Sequence, residues 1–211
     1  GRVRDVREGV QSKSPGNRVA VFILLEALRQ LQGQDVPYDV YGVFTVQEEV
    51  GLRGAISSAH HIDPDFGLGL DVTIAFDVPG AQAHEYVTSL GKGAAIKIMD
   101  GMTICDYRMV NYMKKTADAH EIPWQPEVLP AGGTDTAGLQ RYGKKGAIAG
   151  AISIPLRNMH QTIEMANKAD IKHCIGLLSH CLQELHTYDW SFENIDGGRK
   201  SPGAGDSYDF L

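Results

Sequence analysis

The chain has 211 residues and a formal net charge of −6, a length that suits one domain with a substantial core. The mildly acidic balance argues against a nucleic-acid surface, and no apolar run approaches the roughly 20 residues that span a bilayer. Three cysteines, Cys105, Cys174 and Cys181, are few and odd in number, which fits a reducing, cytoplasmic compartment.

The opening GRVRDVREGV is polar, reads as carrying no secretory leader, and lacks an initiator Met. NRVAVFILLEALRQLQG, residues 17–33, is apolar almost all round and ends in glycine, the pattern of a buried helix with a glycine stop. YDVYGVFTV, 38–46, is β-branched and aromatic and predicts a strand. GLRGAISSAHH predicts a helix, and GLGLDVTIAFDV a strand reaching Asp77. GAAIKIMD follows as a strand, CDYRMVNYMKKTADAHEI as an amphipathic helix, WQPEVL as a short strand and TDTAGLQRYG as a short helix closed by Gly143. GAIAGAISIP is a further apolar strand, and ADIKHCIGLLSHCLQELHTY closes the fold as a helix. Cys174 and Cys181, seven apart on that helix, read as small core residues of one face. After Tyr188 the sequence turns polar and rich in Gly, Ser and Asp, so 189–211 reads as a poorly ordered tail. Alternating strands and helices predict an α/β layered fold on a mixed, largely parallel sheet.

In such sheets, sites gather at the carboxyl ends of strands. Three of those ends carry Glu48-Glu49, Asp77, and Arg157 with His160; GGTDT, 132–136, precedes a helix start. Asp, Glu and His are ligands that zinc, cobalt or manganese accept. Neighbouring side chains at a strand end point in different directions. One glutamate of the pair can therefore hold a metal while the other serves as a general base. From spacing alone, paired glutamates before a glycine turn are equally an exposed acidic turn.

Taken in order, TVQEEVGLRGA, IAFDV, GGTDTAG and IPLRNMHQTIEM resemble the M42 family of metallo-aminopeptidases, from about Lys13 to about Leu185. The resemblance implies a three-layer α/β/α catalytic domain, interrupted in the family by a small β-rich domain used in oligomer assembly; residues 1–188 read as part of the catalytic domain. It implies Glu48 as general base, Glu49 and His160 as ligands of one metal ion, and Asp77 as a ligand of the other. Thr134 and Asp135 fall in the loop lining the site, and Arg157 has a structural part. The implied reaction is removal of an N-terminal residue from a peptide, with two zinc, cobalt or manganese ions, in a homo-oligomer that is often a dodecamer.

Two departures stand out. The family's helix start reads Lys-x-x-Asp-(Asp/Asn)-Arg, whose Asp bridges both metals; here KSPGNR puts Gly16 at that place. The family's N-terminal His-x-Asp motif has no counterpart in the expected position, since His61-Ile62-Asp63 follows the glutamates and His60 and His61 read as solvated helix-end residues. Those departures keep a second reading open, a catalytically inactive relative or fragment acting as a structural or binding subunit. A glucan hydrolase using paired carboxylates is a third, though a histidine and an aspartate at the other strand ends fit metal chemistry better.

Overall fold

The computed structural model describes residues 3–194. A hairpin of β1 (Arg4–Val6) and β2 (Gly9–Ser12) opens the chain, followed by α1 (Arg18–Leu31), α2 (Arg53–Ile62), β3 (Phe66–Ile74) and β4 (Ala94–Met99). Then come α3 (Tyr107–Ala119), β5 (Trp124–Val128), α4 (Thr136–Tyr142), β6 (Ile148–Arg157), β7 (Glu164–Asn167) and α5 (Lys168–Glu184). All the strands join one sheet in the order β1-β2-β7-β6-β4-β5, with β3 on the other edge of β6. The sheet is mixed, as expected. Its parallel pairs are β3–β6 and β4–β5, and its antiparallel pairs, β1–β2, β2–β7, β6–β7 and β4–β6, outnumber them.

Side-chain alternation on the sheet separates two helical layers. Register sets Leu68 beside Gly150 and Gly69 beside Ala151. Gly150 lies under Met109 and Met113 of α3, whereas Gly67 and Gly69 lie under Leu139 and Thr136 of α4. A Cβ on Gly69 would stand 2.1 Å from the Thr136 hydroxyl, so only glycine lets α4 come this close. α1 and α5 share the α3 side, where Ile23, Ile96, Met109, Met113, Ile152, Ile154 and Leu177 are fully buried. Cys174 and Cys181 are free and buried in this layer, as their spacing indicates. The opposite face carries α4 with α2 packed on it, giving the three-layer α/β/α arrangement.

Several local expectations need correction. α1 buries Val19, Ala20, Ile23 and Ala27 but leaves Val21, Phe22 and Leu25 substantially exposed, so its apolar circumference is not all core. Residues 38–46 do not form a strand. Among the described residues the backbone of 39–45 has no ladder partner, and the free edge of β3 lies across a wide trough from it. Strand propensity describes fit to a pleated, paired surface, and without a partner it yields only an exposed segment. The first three-residue strand, its hairpin mate and β7 were not legible in the polar sequence around them.

The beginning of the expected tail is also ordered. Trp190 packs 4.6 Å from the Phe66 ring and donates from its indole to the Leu185 carbonyl. Its own carbonyl accepts from Arg108, whose guanidinium lies over the Phe192 ring at 4.2 Å. The rest of the tail, 195–211, lies outside the described residues. Asp106 organises this corner: it caps α3 by accepting from the Arg108 amide and holds the Arg108 side chain at 2.7 Å.

Asp106→Ala is therefore expected to cost about 1–2 kcal/mol, the upper range for a lost helix cap. Urea unfolding followed by tryptophan fluorescence checks it. A midpoint equal to that of the unaltered chain would mean that the cap is redundant.

Candidate active site

One trough of about 1240 Å³ gathers Glu48, Glu49, Asp71, Asp135 and His160, with Lys97, Asp100, Glu127 and Thr134 at its floor. Its acidic groups lie on the sheet face away from α3, and the trough continues past the free edge of β3 to Met109 of α3 and Leu178 and Leu182 of α5. Asp71 is beside Ser153, and Ala95 is beside the same Ser153, so Asp71, Ala95 and Lys97 share a face.

The two glutamates stand on a 3-10 turn, Glu48–Val50, entered through Gln47 at φ 58° and left through Gly51 at φ 110° and Leu52 at φ 56°. The opposite wall is the β6–β7 turn, where Asn158 has φ 59° and His160 φ 64°. Left-handed backbone at non-glycine residues costs on the order of 1–3 kcal/mol and persists where surrounding contacts enforce it. Glu164 supplies such contacts. Its buried carboxylate accepts from the His160 amide at 2.8 Å and, through its other oxygen, from the Gly16 amide at 3.1 Å. Gly16 lines the same trough, and a side chain there would start 3.0 Å from the Val72 Cγ2 methyl and 3.3 Å from that of Leu156 Cδ2.

Glu49 Oε1 lies 3.4 Å from His160 Nε2, so the expected ligand pair does converge. Glu48 is half-buried beside it, and its carboxyl is pushed up to about 7 by burial first and then by the negative charges of Asp71, Glu49 and Asp135, with His160 offsetting part. Asp71 is likewise pushed up to about 7: burial dominates, Asp135 and Glu127 add to it, and the Val72 amide and Lys97 oppose it. Burial also raises Asp135, although the Thr45 hydroxyl donates to one of its oxygens. Its other oxygen is buried without a partner.

Asp77 is the expected ligand that the structure does not bring in. Pairing of β3 stops at Ile74, and Asp77 lies beyond it, paired to Arg157 at 2.9 Å and accepting from the Leu90 amide at 3.0 Å. It is not among the residues lining the trough; Asp71, from the same strand, is. Arg157 has the structural part expected of it. Asp63, of the His-x-Asp triplet, accepts from the Lys144 amide, and His60 and His61 are exposed at the end of α2.

Sequence reasoning missed the floor. Lys97 is fully buried between Glu127 at 2.7 Å and Asp100 at 3.3 Å. Burial works against its charge, but the two carboxylates more than offset this and its pKa is raised. Thr73 donates to Glu127, and Thr134 to Asp100, tying the 132–135 loop to the sheet. A lone lysine inside the apolar strand AAIKIM was the available signal.

The site is an acidic cleft on a mixed α/β sheet, with a histidine facing a carboxylate pair. The chain matches the M42 glutamyl aminopeptidase family over residues 2–177 and belongs to it; M42 peptidases are metal-dependent in general. It is 33% identical over 175 residues to a lysyl aminopeptidase of Pyrococcus furiosus, covering 83% of this chain and 49% of that one. Among solved structures it is similar to the aminopeptidase APDkam598 of Desulfurococcus kamchatkensis, with TM-score 0.82 and 40% identity over 87% of this chain and 51% of that one. It is also similar to a TET aminopeptidase of Thaumarchaeota archaeon SCGC AB-539-E09, with TM-score 0.83 and 33% identity over 92% and 54%. The chain spans about half the length of the curated relatives it matches.

Two outcomes follow. Lys97→Met leaves Glu127 and Asp100 buried without a cation and is expected to cost about 3–5 kcal/mol, with Lys97→Met/Glu127→Leu losing less; denaturant melts of both variants check this. The second concerns pH. Glu48 and Asp71 hold protons up to about 7 when folded, against about 4 in an unfolded chain. Between those values the folded state binds more protons, so stability falls as pH rises through the window. In chelator-treated protein the thermal midpoint should be lower at pH 8 than at pH 6, and Glu48→Gln should flatten that slope. Equal midpoints in the unaltered chain would show that the two carboxyls titrate normally.

Proposed function

We propose that the intact protein is a metal-dependent aminopeptidase that removes N-terminal residues from peptides, with Glu48 as its general base. The observation that carries this reading is the convergence of Glu48, Glu49, Asp71 and His160 in one trough, with Glu49 and His160 3.4 Å apart. Their oxygen and nitrogen donors suit zinc, cobalt or manganese, and the unpartnered Asp135 oxygen marks an unmet demand for positive charge. Glu49 and His160 would hold one ion. Asp71 takes the place expected for Asp77 and would face a second. A divalent ion bound there would polarise the scissile carbonyl and acidify a water molecule.

Glu48 is suited to the proton work. Without a bound cation its carboxyl is pushed up to about 7 by burial and by the neighbouring carboxylates, and a cation held by those neighbours would lower it toward the ionised form that accepts a proton. It takes a proton from the attacking water and returns it to the departing amine. Lys97 keeps Glu127 and Asp100 neutralised beneath the trough, and Glu164 fixes the His160 turn against the Gly16 loop. The acidic walls favour the ammonium of a peptide N-terminus over a carboxylate end.

The low cysteine count supports a cytoplasmic setting, and no helix among the described residues is long and apolar enough to cross a membrane. A similar solved structure, at 26% identity and TM-score 0.72, is PhTET1-12s, described as a dodecamer; self-assembly of the intact protein is proposed on that likeness. One observation favours a second reading, a relative without catalysis: Gly16 offers no carboxylate where the family has its bridging aspartate.

Release of N-terminal residues from short peptides by the intact protein tests the activity. Glu48→Gln should lower turnover by about 10²–10⁴-fold with metal content unchanged; loss of metal instead would exchange the roles of Glu48 and Glu49. Gly16→Asp should strengthen binding of a second ion in a cobalt titration. No peptidase activity in the intact protein with saturating metal would favour the non-catalytic reading.

A further inference from the structure

The helical layer formed by α3 and α5 carries a second cluster of ligating side chains, outside the lining of the trough. His120 stands at the C-terminal cap of α3, and His180 and Glu184 lie one turn apart on α5. The two imidazoles stack with ring centroids 3.5 Å apart and planes within 13°. His120 Nε2 is 2.6 Å from Glu184 Oε1, and His180 Nδ1 is 3.5 Å from the same oxygen. One donor atom from each residue lies within 4.8 Å of the others. None of the three lines the trough.

We propose that His120, His180 and Glu184 form a second divalent-metal site, for zinc or a similar borderline ion, that fastens the end of α3 to α5. The chemistry of the set fits. Two neutral imidazoles and one carboxylate are zinc ligands, and a water molecule completes four-coordination. His180 and Glu184 are spaced i,i+4, so they project from one face of α5 and can close on a single ion. His120 comes from another helix, and its backbone is fixed by its amide donating to Thr116 and by the Ile122 amide donating to Ala117.

Tetrahedral ligands at about 2.0–2.1 Å from zinc stand about 3.3 Å from one another. The His120–Glu184 contact of 2.6 Å needs to open by less than an ångström, and the His180–Glu184 distance of 3.5 Å already fits. The stacked rings must also turn apart, because each imidazole ligates in its own ring plane and two rings stacked 3.5 Å apart cannot both hold one ion. The side chains are about one-third exposed, at 31%, 34% and 35%, which gives an ion entry and leaves room for water.

His180 Nδ1 is shut off from solvent and has only the long 3.5 Å approach of Glu184 Oε1. A metal ion gives that nitrogen a partner, and it replaces a hydrogen bond across the helix pair with bonds to both helices.

The test uses tag-free chain, stripped with chelator and titrated with cobalt and zinc. In a Glu49→Gln/His160→Gln background, which removes the ligand pair of the trough, calorimetry should still count one ion per chain. Cobalt should give the visible absorption of a four-coordinate nitrogen and oxygen site. Adding His180→Ala should abolish that binding, and Glu184→Gln should weaken it by about tenfold or more while leaving both imidazoles in place. Zinc should raise the thermal midpoint of the background protein by several degrees and leave that of the His180→Ala form unmoved. Absence of any binding in the background overturns the proposal. So does an ion count that survives both His180→Ala and the independent change His120→Asn. Because the trough pair is absent throughout, failure here leaves the proposed peptidase site untouched.

Discussion

Negative charge held in a poorly solvated place governs this molecule. Glu127, buried under the sheet face, keeps one oxygen on Lys97 and Thr73 and has no partner for the other. Asp100 shares the same ammonium and reaches Thr134. Above them, Asp71, Asp135 and Glu48 crowd one another. Each carboxylate would be costly alone in such a place. Together they make a region whose charge is only partly balanced, by one lysine at its floor. Proton uptake can relieve the excess, and so can a bound cation; the elevated proton affinities of Glu48 and Asp71 express the first remedy, and the oxygen-rich walls suit the second. α4 is drawn close over Gly67 and Gly69, bringing the Thr134–Asp135 loop onto the cluster.

Much of this was legible in the sequence. The layered α/β class followed from alternating periodicities. Glu48, Glu49 and His160 do come together, although the segment before the glutamates is no strand and His160 stands in the turn after β6. Asp77 and Asp71 could not be separated in the same way. They are six residues apart, so alternation puts both on one face. What divides them is where ladder pairing with β6 ends and which basic side chain waits beyond it. That is a property of two strands, invisible in either alone. The same limit explains residues 38–46, whose composition favours a strand but whose pairing depends on a neighbour. Lys97 was hidden because one of its partners, Glu127, comes from another strand, although Asp100 stands only three residues beyond it. Trp190 was overlooked because the polar residues around it outweighed one aromatic anchor.

The two clusters of ligating residues answer to different constraints. The trough is built from loops at the end of the sheet, where backbone is strained and side chains are presented to a cavity. His180 and Glu184 stand one turn apart on α5, and His120 caps the end of α3 packed beside it. The first arrangement suits exchange of substrate and product. The second suits a fixed fastening between elements that already pack together.

The unpaired stretch at 39–45 divides the trough into walls of unequal firmness. β6 is bonded along both edges and backs the wall that carries Asp71, and the His160 amide is held by Glu164. The glutamate pair is approached along backbone that exchanges its hydrogen bonds with water. Deuterium uptake should enter this wall long before the other. A ligand seated between them must quiet the loose side, and that entropic toll lowers its affinity while leaving its orientation to the firm side. Short occupancy of a well-oriented ligand is what a catalyst with rapid turnover requires.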